Sequence, residues 1–117
     1  MIFDFDKFVS IAERVYHSSQ YSFAETMEVF RCYFETYEKY IGRPHPPIKS
    51  AQIARIIQLM PYLDESSVGS DYREIEPENY PDVIDKHFRT KYRNCDYNIN
   101  HFFAGRIREL RWFETAY

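Results

Sequence analysis

Between Phe23 and Ile41, the apolar residues Phe23, Met27, Phe30, Phe34, Tyr37 and Ile41 recur at steps of four and three. At about 100° per residue they fall in one narrow stripe on a helix. Val29, Tyr33 and Tyr40, with Thr26 and Thr36, form a second stripe beside the first. Together the two stripes cover roughly half the circumference, more than a surface helix needs. Glu28, Arg31, Glu35 and Lys39 occupy the opposite face, with alternating signs at i,i+3 and i,i+4. Ser22 and Glu25 have capping-box spacing, and Gly42 stands where a left-handed residue would end the helix. The pattern predicts a central helix with neighbours on several sides.

The same periodicity places four more helices. Asp4 or Asp6 caps a first one, with Phe5, Phe8, Ala12 and Val15 or Tyr16 on one face. It ends near residues 17–20, whose short turn leads into the capping box. After Gly42, the run RPHPPIKS carries three prolines in four residues, which forbid helix and hold the chain extended. A stiff connector is the better reading of this run than a proline-rich ligand. Ser50 caps a third helix, with Ile53, Ile56, Ile57 and Met60 inward and Pro61 at its end. The Q-I-A-R-I-I run within it has the character of the first helix of a helix-turn-helix, yet Pro61 and an acidic stretch follow instead of the second helix. Residues 64–79 have loop composition, and a connection of that length marks a functional or mobile loop. Asn79 caps a fourth helix with Pro81 in its first turn, and Ile84, Phe88 and Tyr92 form its buried edge. The last helix, NINHFFAGRIRELRWFE, puts Ile99, Phe103, Leu110 and Phe113 in its core stripe, flanked by Phe102 and Ile107. The expectation is an all-α fold: one domain over residues 1–117, a single compact bundle of five helices with one long acidic loop.

A chain of 117 residues is long enough to bury a core without staples. Its 10 Phe supply that core, whereas 11 Tyr exceed what such a core uses and divide between core edges and a contact surface. The net charge of −3 excludes a uniformly basic nucleic-acid binder. The sign alternates along the chain, however. Residues 1–41 carry 4 basic and 7 acidic side chains, and residues 42–63 carry 3 basic and none acidic. Residues 64–79 carry 1 basic and 6 acidic, and residues 80–117 carry 7 basic and 5 acidic. This alternation permits intramolecular pairing or a locally basic face within an acidic protein. Cys32 and Cys95 lack C-x-x-C spacing, and there is no signal-peptide pattern, no sequon and no membrane-length apolar run. A reduced cytoplasmic protein without a membrane contact is the economical reading.

Candidate chemistry concentrates in the C-terminal third. On one side of the last helix His101, Gly105, Arg108 and Trp112 recur at steps of four, three and four, with Ala104 and Arg111 adjacent. Trp and Arg are the types most enriched in binding hot spots, and the small residues leave room for a partner's backbone. The competing reading has Gly105 admit a neighbouring helix of the same domain while Trp112 finishes the core. Lys86, Arg89, Lys91 and Arg93 precede this helix and would extend a basic patch with Tyr92 and Tyr97, although Asp82, Asp85 and Asp96 interrupt it. The candidate binding residues are therefore His101, Arg108, Arg111, Trp112, Arg89 and Arg93. Arg106 falls inside the apolar stripe, where Glu109 at i+3 is its nearest partner in sequence.

No catalytic signature is present. His45, His87 and His101 lack helical metal spacing, and a His87/Cys95/His101 zinc site would need separate segments to converge. Cys32 lies on a helix face rich in glutamates, which disfavours a thiolate nucleophile. Only 3 Gly leave no phosphate-cradling loop. The reading is a noncatalytic protein without cofactor or metal.

The combination of GRPHPPIKSAQIARII, residues 42–57, with NCDYNINHFFAGRIRELR, residues 94–111, resembles small Gram-positive bacterial proteins of no assigned activity that are associated with prophages and conjugative elements. The resemblance implies a cytoplasmic accessory protein and assigns no residue a role. Because mobile elements also carry small inhibitors of host defence nucleases, it adds that class to the expectation. The function expected is a small binding protein that contacts a protein or nucleoprotein partner as an inhibitor or adaptor. The alternative is a DNA- or RNA-binding protein using a basic face of the C-terminal helices.

Overall fold

Capping chemistry sets most of the helix ends. The structure is a computed structural model that describes residues 4–62, 75–90, 95–104, 107, 108, 110 and 111. Among these residues lie α1 (Phe5–Val15), α2 (Phe23–Ile41), α3 (Ser50–Leu59), α4 (Tyr80–Arg89) and the short α5 (Ile99–Phe102), with no strand. A 3₁₀ turn, Pro77–Asn79, runs directly into α4. The all-α bundle expected from periodicity is the one observed. Asp4 accepts from the Lys7 amide at 3.0 Å at the start of α1. At α2 the capping box is complete: Ser22 Oγ accepts from Glu25 N at 3.1 Å, and Glu25 Oε1 accepts from Ser22 N at 2.8 Å. Gly42 ends α2 at φ 85°, a left-handed conformation that favours glycine.

Two caps differ from expectation. Ser50 is the first residue of α3 rather than its cap; Lys49 holds that place, and Gln52 Oε1 reaches back to accept from Lys49 N at 3.0 Å. Asn79 precedes α4, but its side chain accepts from Glu76 N at 3.0 Å and so closes the 3₁₀ turn. Of the acidic stretch 64–79, residues 64–74 lie outside the described residues. Its last part is not loop-like, since Ile75 is buried and Pro77–Asn79 is helical.

The α2 helix packs mainly on α4, and α1 on α3. Phe30 and Tyr33 on α2 are fully buried. Phe8 of α1 meets Phe30 and Phe34 at ring distances of 4.8 and 5.1 Å, both edge-on. Tyr33 reaches Phe88 of α4 at 5.2 Å and Phe102 of α5 at 5.3 Å. Aromatic pairs of this kind add about 0.5–1.5 kcal/mol beyond their area burial.

Most of the described tyrosines serve the interior. The hydroxyl of Tyr16 donates to Tyr21 O at 2.6 Å, Tyr33 to Tyr97 O at 2.7 Å, and Tyr97 to Thr90 O at 2.6 Å. Tyr21 donates to Ile75 O and Tyr80 to Met60 O. The rings of Tyr21, Tyr33 and Tyr80 fill the core and those of Tyr16 and Tyr97 pack against it, while each hydroxyl satisfies a carbonyl outside the helical ladders.

The C-terminal segment departs most from expectation. A continuous helix over residues 98–114 is not what forms: α5 stops at Phe102, Phe103 leaves helical geometry at φ −91°, ψ 7°, and Ala104 lies in a bend. Tightened bonding accompanies the stop, with Ala104 N donating to His101 O at 3.1 Å. Residues 107, 108, 110 and 111 are helical again, with Leu110 exposed instead of in the core. Arg106, Glu109 and Phe113 lie outside the described residues.

The packing makes one direct prediction. Phe34→Ala should destabilise the protein by about 3–5 kcal/mol in urea titration, because a 5% exposed ring packed on Phe5, Phe8, Phe30 and His45 leaves a cavity. A loss below about 1 kcal/mol would place that seam on the surface.

Candidate functional site

Two residues of the expected contact face lie in the interior. Arg108 is 6% exposed and Arg111 is 5% exposed, so neither lines a free basic patch. The break after Phe102 is the physical reason. A helical wheel drawn through residues 98–114 assumes one continuous helix, and the bend re-aims Arg108, Leu110 and Arg111. Arg93 and Trp112 lie outside the described residues. Arg89 is exposed on α4, where its Nε pairs with Asp85 Oδ2 at 2.7 Å.

Arg108 caps the carboxyl end of α3. One of its terminal nitrogens donates to Leu59 O at 2.7 Å, to Met60 O at 3.3 Å and to the Tyr80 hydroxyl at 2.8 Å; the other donates to Tyr62 O. Its guanidinium also lies 5.0 Å from the Phe103 ring centroid. A cation at the negative end of a helix dipole, adding donors to the carbonyls that follow its last turn, is favourable on both counts. Burial pushes the Tyr80 hydroxyl up to about 12, against the opposing effect of Arg108.

The structure brings His101 and Arg111 together around His87. The half-buried His101 ring stacks 6.5 Å from that of His87. His87 is fully buried against Phe102 at 5.0 Å and Tyr97 at 5.3 Å. Burial first, then the charges of Arg111 and His101, push its pKa down to about 3. His45 is buried too, and its role is different. Its Nε2 accepts from Ile99 N at 2.9 Å while its Nδ1 lies 2.7 Å from Pro46 O, which fits the neutral Nδ1–H tautomer. It thereby ties the proline connector to the start of α5, and burial lowers its pKa. In the sequence His45 and His87 stand out only as candidate metal ligands, and His101 also as a contact residue. Among the described residues, no group of three or more His, Cys, Asp or Glu is placed to hold a metal.

One groove among the described residues is rimmed by acidic side chains alone. It has a volume of about 450 Å³ and runs between α2 and the Pro77–Pro81 segment. Val29, Cys32 and Thr36 from α2 face Pro77, Tyr80 and Pro81, and Glu25, Glu28, Glu35 and Glu78 stand around them. Burial, with Glu35 and Glu28 adding to it, raises the pKa of the Cys32 thiol. The glutamates on α2 were legible as a helix face. Their opposite wall was not, since Pro77, Glu78 and Pro81 are more than 40 positions away in sequence.

Comparison with protein-family models, curated proteins and solved structures finds no match to this chain.

Two expected outcomes follow from the buried groups. Arg108→Met keeps the stem but removes donors from the carbonyls of Leu59, Met60 and Tyr62, leaving Leu59 O to the Tyr62 amide and Met60 O to the Tyr80 hydroxyl, and should cost about 1–3 kcal/mol in urea titration. A change within about 0.5 kcal/mol would return Arg108 to the surface. The histidines predict acid sensitivity. Both have folded-state pKa values below the unfolded value of about 6.5, so their contribution is complete above that pH and lost as pH falls. For His87 the loss extends down to about pH 3, at up to about 1.4 kcal/mol per pH unit. Urea midpoints measured from about pH 7 down to about pH 4.5 should drop, and His87→Leu should show a shallower slope. An equally steep slope in that variant would exclude His87 as a cause.

Proposed function

We propose that this chain is a small noncatalytic binding protein that acts by contacting a protein or nucleoprotein partner, as an inhibitor or adaptor. The observation that carries the reading is where the charges end up. Arg108 and Arg111 are buried and Arg89 is paired, while the glutamates of α2 and Glu78 stand exposed around an apolar-floored groove. Phosphate binding needs Lys and Arg clustered on one accessible face. The alternative, a DNA- or RNA-binding protein using the C-terminal helices, loses two of its arginines to the interior. The resemblance to mobile-element proteins supports testing host defence nucleases among the targets. No helix among the described residues is long and apolar enough to cross a membrane.

The test separates protein from nucleic-acid partners. Labelled duplex and single-stranded DNA and RNA should give no saturable anisotropy change at low salt up to about 100 µM protein, the weak end of ordinary non-specific binding. The immobilised chain should retain a host protein from nuclease-treated lysate. Tight nucleic-acid binding that falls steeply with salt, with no protein retained, would replace this reading by the alternative.

A further inference from the structure

The groove between α2 and the Pro77–Pro81 segment is built of two kinds of surface. Its floor is apolar or weakly polar: Val29 is buried, Cys32 and Thr36 are half-buried, and Pro77 and Pro81 form the far wall. Its rim is uniformly acidic, and none of the ten lining residues carries a positive charge. Two rim carboxylates already have local work. Glu25 accepts from Ser22 N at 2.8 Å, and Glu28 lies 4.0 Å from Arg31 with both side chains well exposed. Glu35 and Glu78 enter no ion pair among the described residues. From Glu25 to Thr36 the α2 wall is about 16 Å long at the usual helical rise, which matches about three turns of a second helix.

We propose that this groove docks a basic amphipathic helix of a partner protein, a proposal that rests on the binding-protein reading above. Apolar side chains of that helix sit on Val29, Cys32, Pro77 and Pro81, and flanking Lys or Arg residues meet Glu35 and Glu78. The chemistry of the walls selects the occupant. Both are made of helical segments and present side chains, so an extended peptide would find no strand edge for its backbone groups. A helix brings its own backbone bonds and needs only a stripe for the floor and cations for the rim. A rim of one sign admits a basic partner and repels an acidic one, which makes charge the specificity element here.

The experiment uses the full chain and three fluorescein-labelled, helix-stabilised peptides of about four turns: a Leu/Lys amphipathic helix, its Leu/Glu counterpart, and a scramble of the first with equal charge and no apolar stripe. Anisotropy should show the Leu/Lys peptide binding at least tenfold more tightly than the other two. Amide shifts in ¹H–¹⁵N spectra should centre on residues 25–36 and 77–83. The double variant Glu35→Gln, Glu78→Gln, which spares the Glu25 cap, should keep its circular dichroism and thermal midpoint and weaken binding at least tenfold. Equal binding by the scramble would reduce the groove to a polycation trap and overturn the proposal. So would equal binding by the double variant, shifts centred elsewhere, or self-association through this groove that excludes the peptide. Failure here while a nuclease-resistant partner is still retained sinks the groove alone, whereas nucleic-acid binding with no protein partner sinks the reading beneath it.

Discussion

The C-terminal half of the structure depends on how the carbonyl end of α3 is satisfied. A ten-residue helix leaves the carbonyls of its last turn without partners further along the helix. Arg108 supplies donors to Leu59, Met60 and Tyr62, and the Tyr80 hydroxyl both donates to Met60 O and accepts from Arg108. One cluster therefore joins α3, the first residue of α4 and the C-terminal segment. Stranding a buried carbonyl costs about 1–3 kcal/mol, so the three segments hold their places together. Tyr80 also lines the groove beside Pro77 and Pro81. The groove's far wall is thus positioned from the interior, by an arginine that never reaches it.

The same logic explains the tyrosine content. An excess of Tyr reads naturally as a contact surface, because its ring is apolar and its hydroxyl is polar. Inside this chain those two properties answer two internal needs at once. The ring of Tyr33 packs on Phe88 and Phe102 while its hydroxyl holds Tyr97 O, 64 positions away. Tyr21 does the same for Ile75, 54 positions away. Only Tyr40 among the buried-face candidates of α2 is exposed, and it bonds Asp85 at 2.8 Å while stacking on Phe88. Pairings at such separations have no periodic trace in sequence, so composition could raise the question without deciding it.

The parts of the fold legible in the sequence are those governed by local chemistry. Apolar periodicity placed α1 to α4, the Ser22–Glu25 box and Gly42 placed both ends of α2, and the double stripe of α2 placed Phe30 and Phe34 in the core. In the candidate site, the placement of Arg108 and Arg111 turns on one local event, the stop after Phe102. Gly105, at a cost of about 1 kcal/mol relative to Ala in a helix, was the available warning that continuity was in doubt. A continuous helix would put Arg108 and Arg111 outward and Leu110 inward, the reverse of where the structure has them.

Burying arginines has a consequence at the surface. With Arg108 and Arg111 inside, solvent sees two fewer positive charges among the described residues than the net charge of −3 counts. Long-range steering acts through the charges that solvent sees, so approach to a cationic partner is accelerated at low salt and approach to nucleic acid is slowed. Steering alone would hold such a partner loosely, because exposed ion pairs contribute at most about 1 kcal/mol each. Affinity must come from apolar surface brought into contact once the charges have aligned the two molecules. The described surface offers that combination where Val29, Cys32, Pro77 and Pro81 lie within a ring of glutamates. Charge on the rim and apolar area on the floor divide the task between encounter and retention.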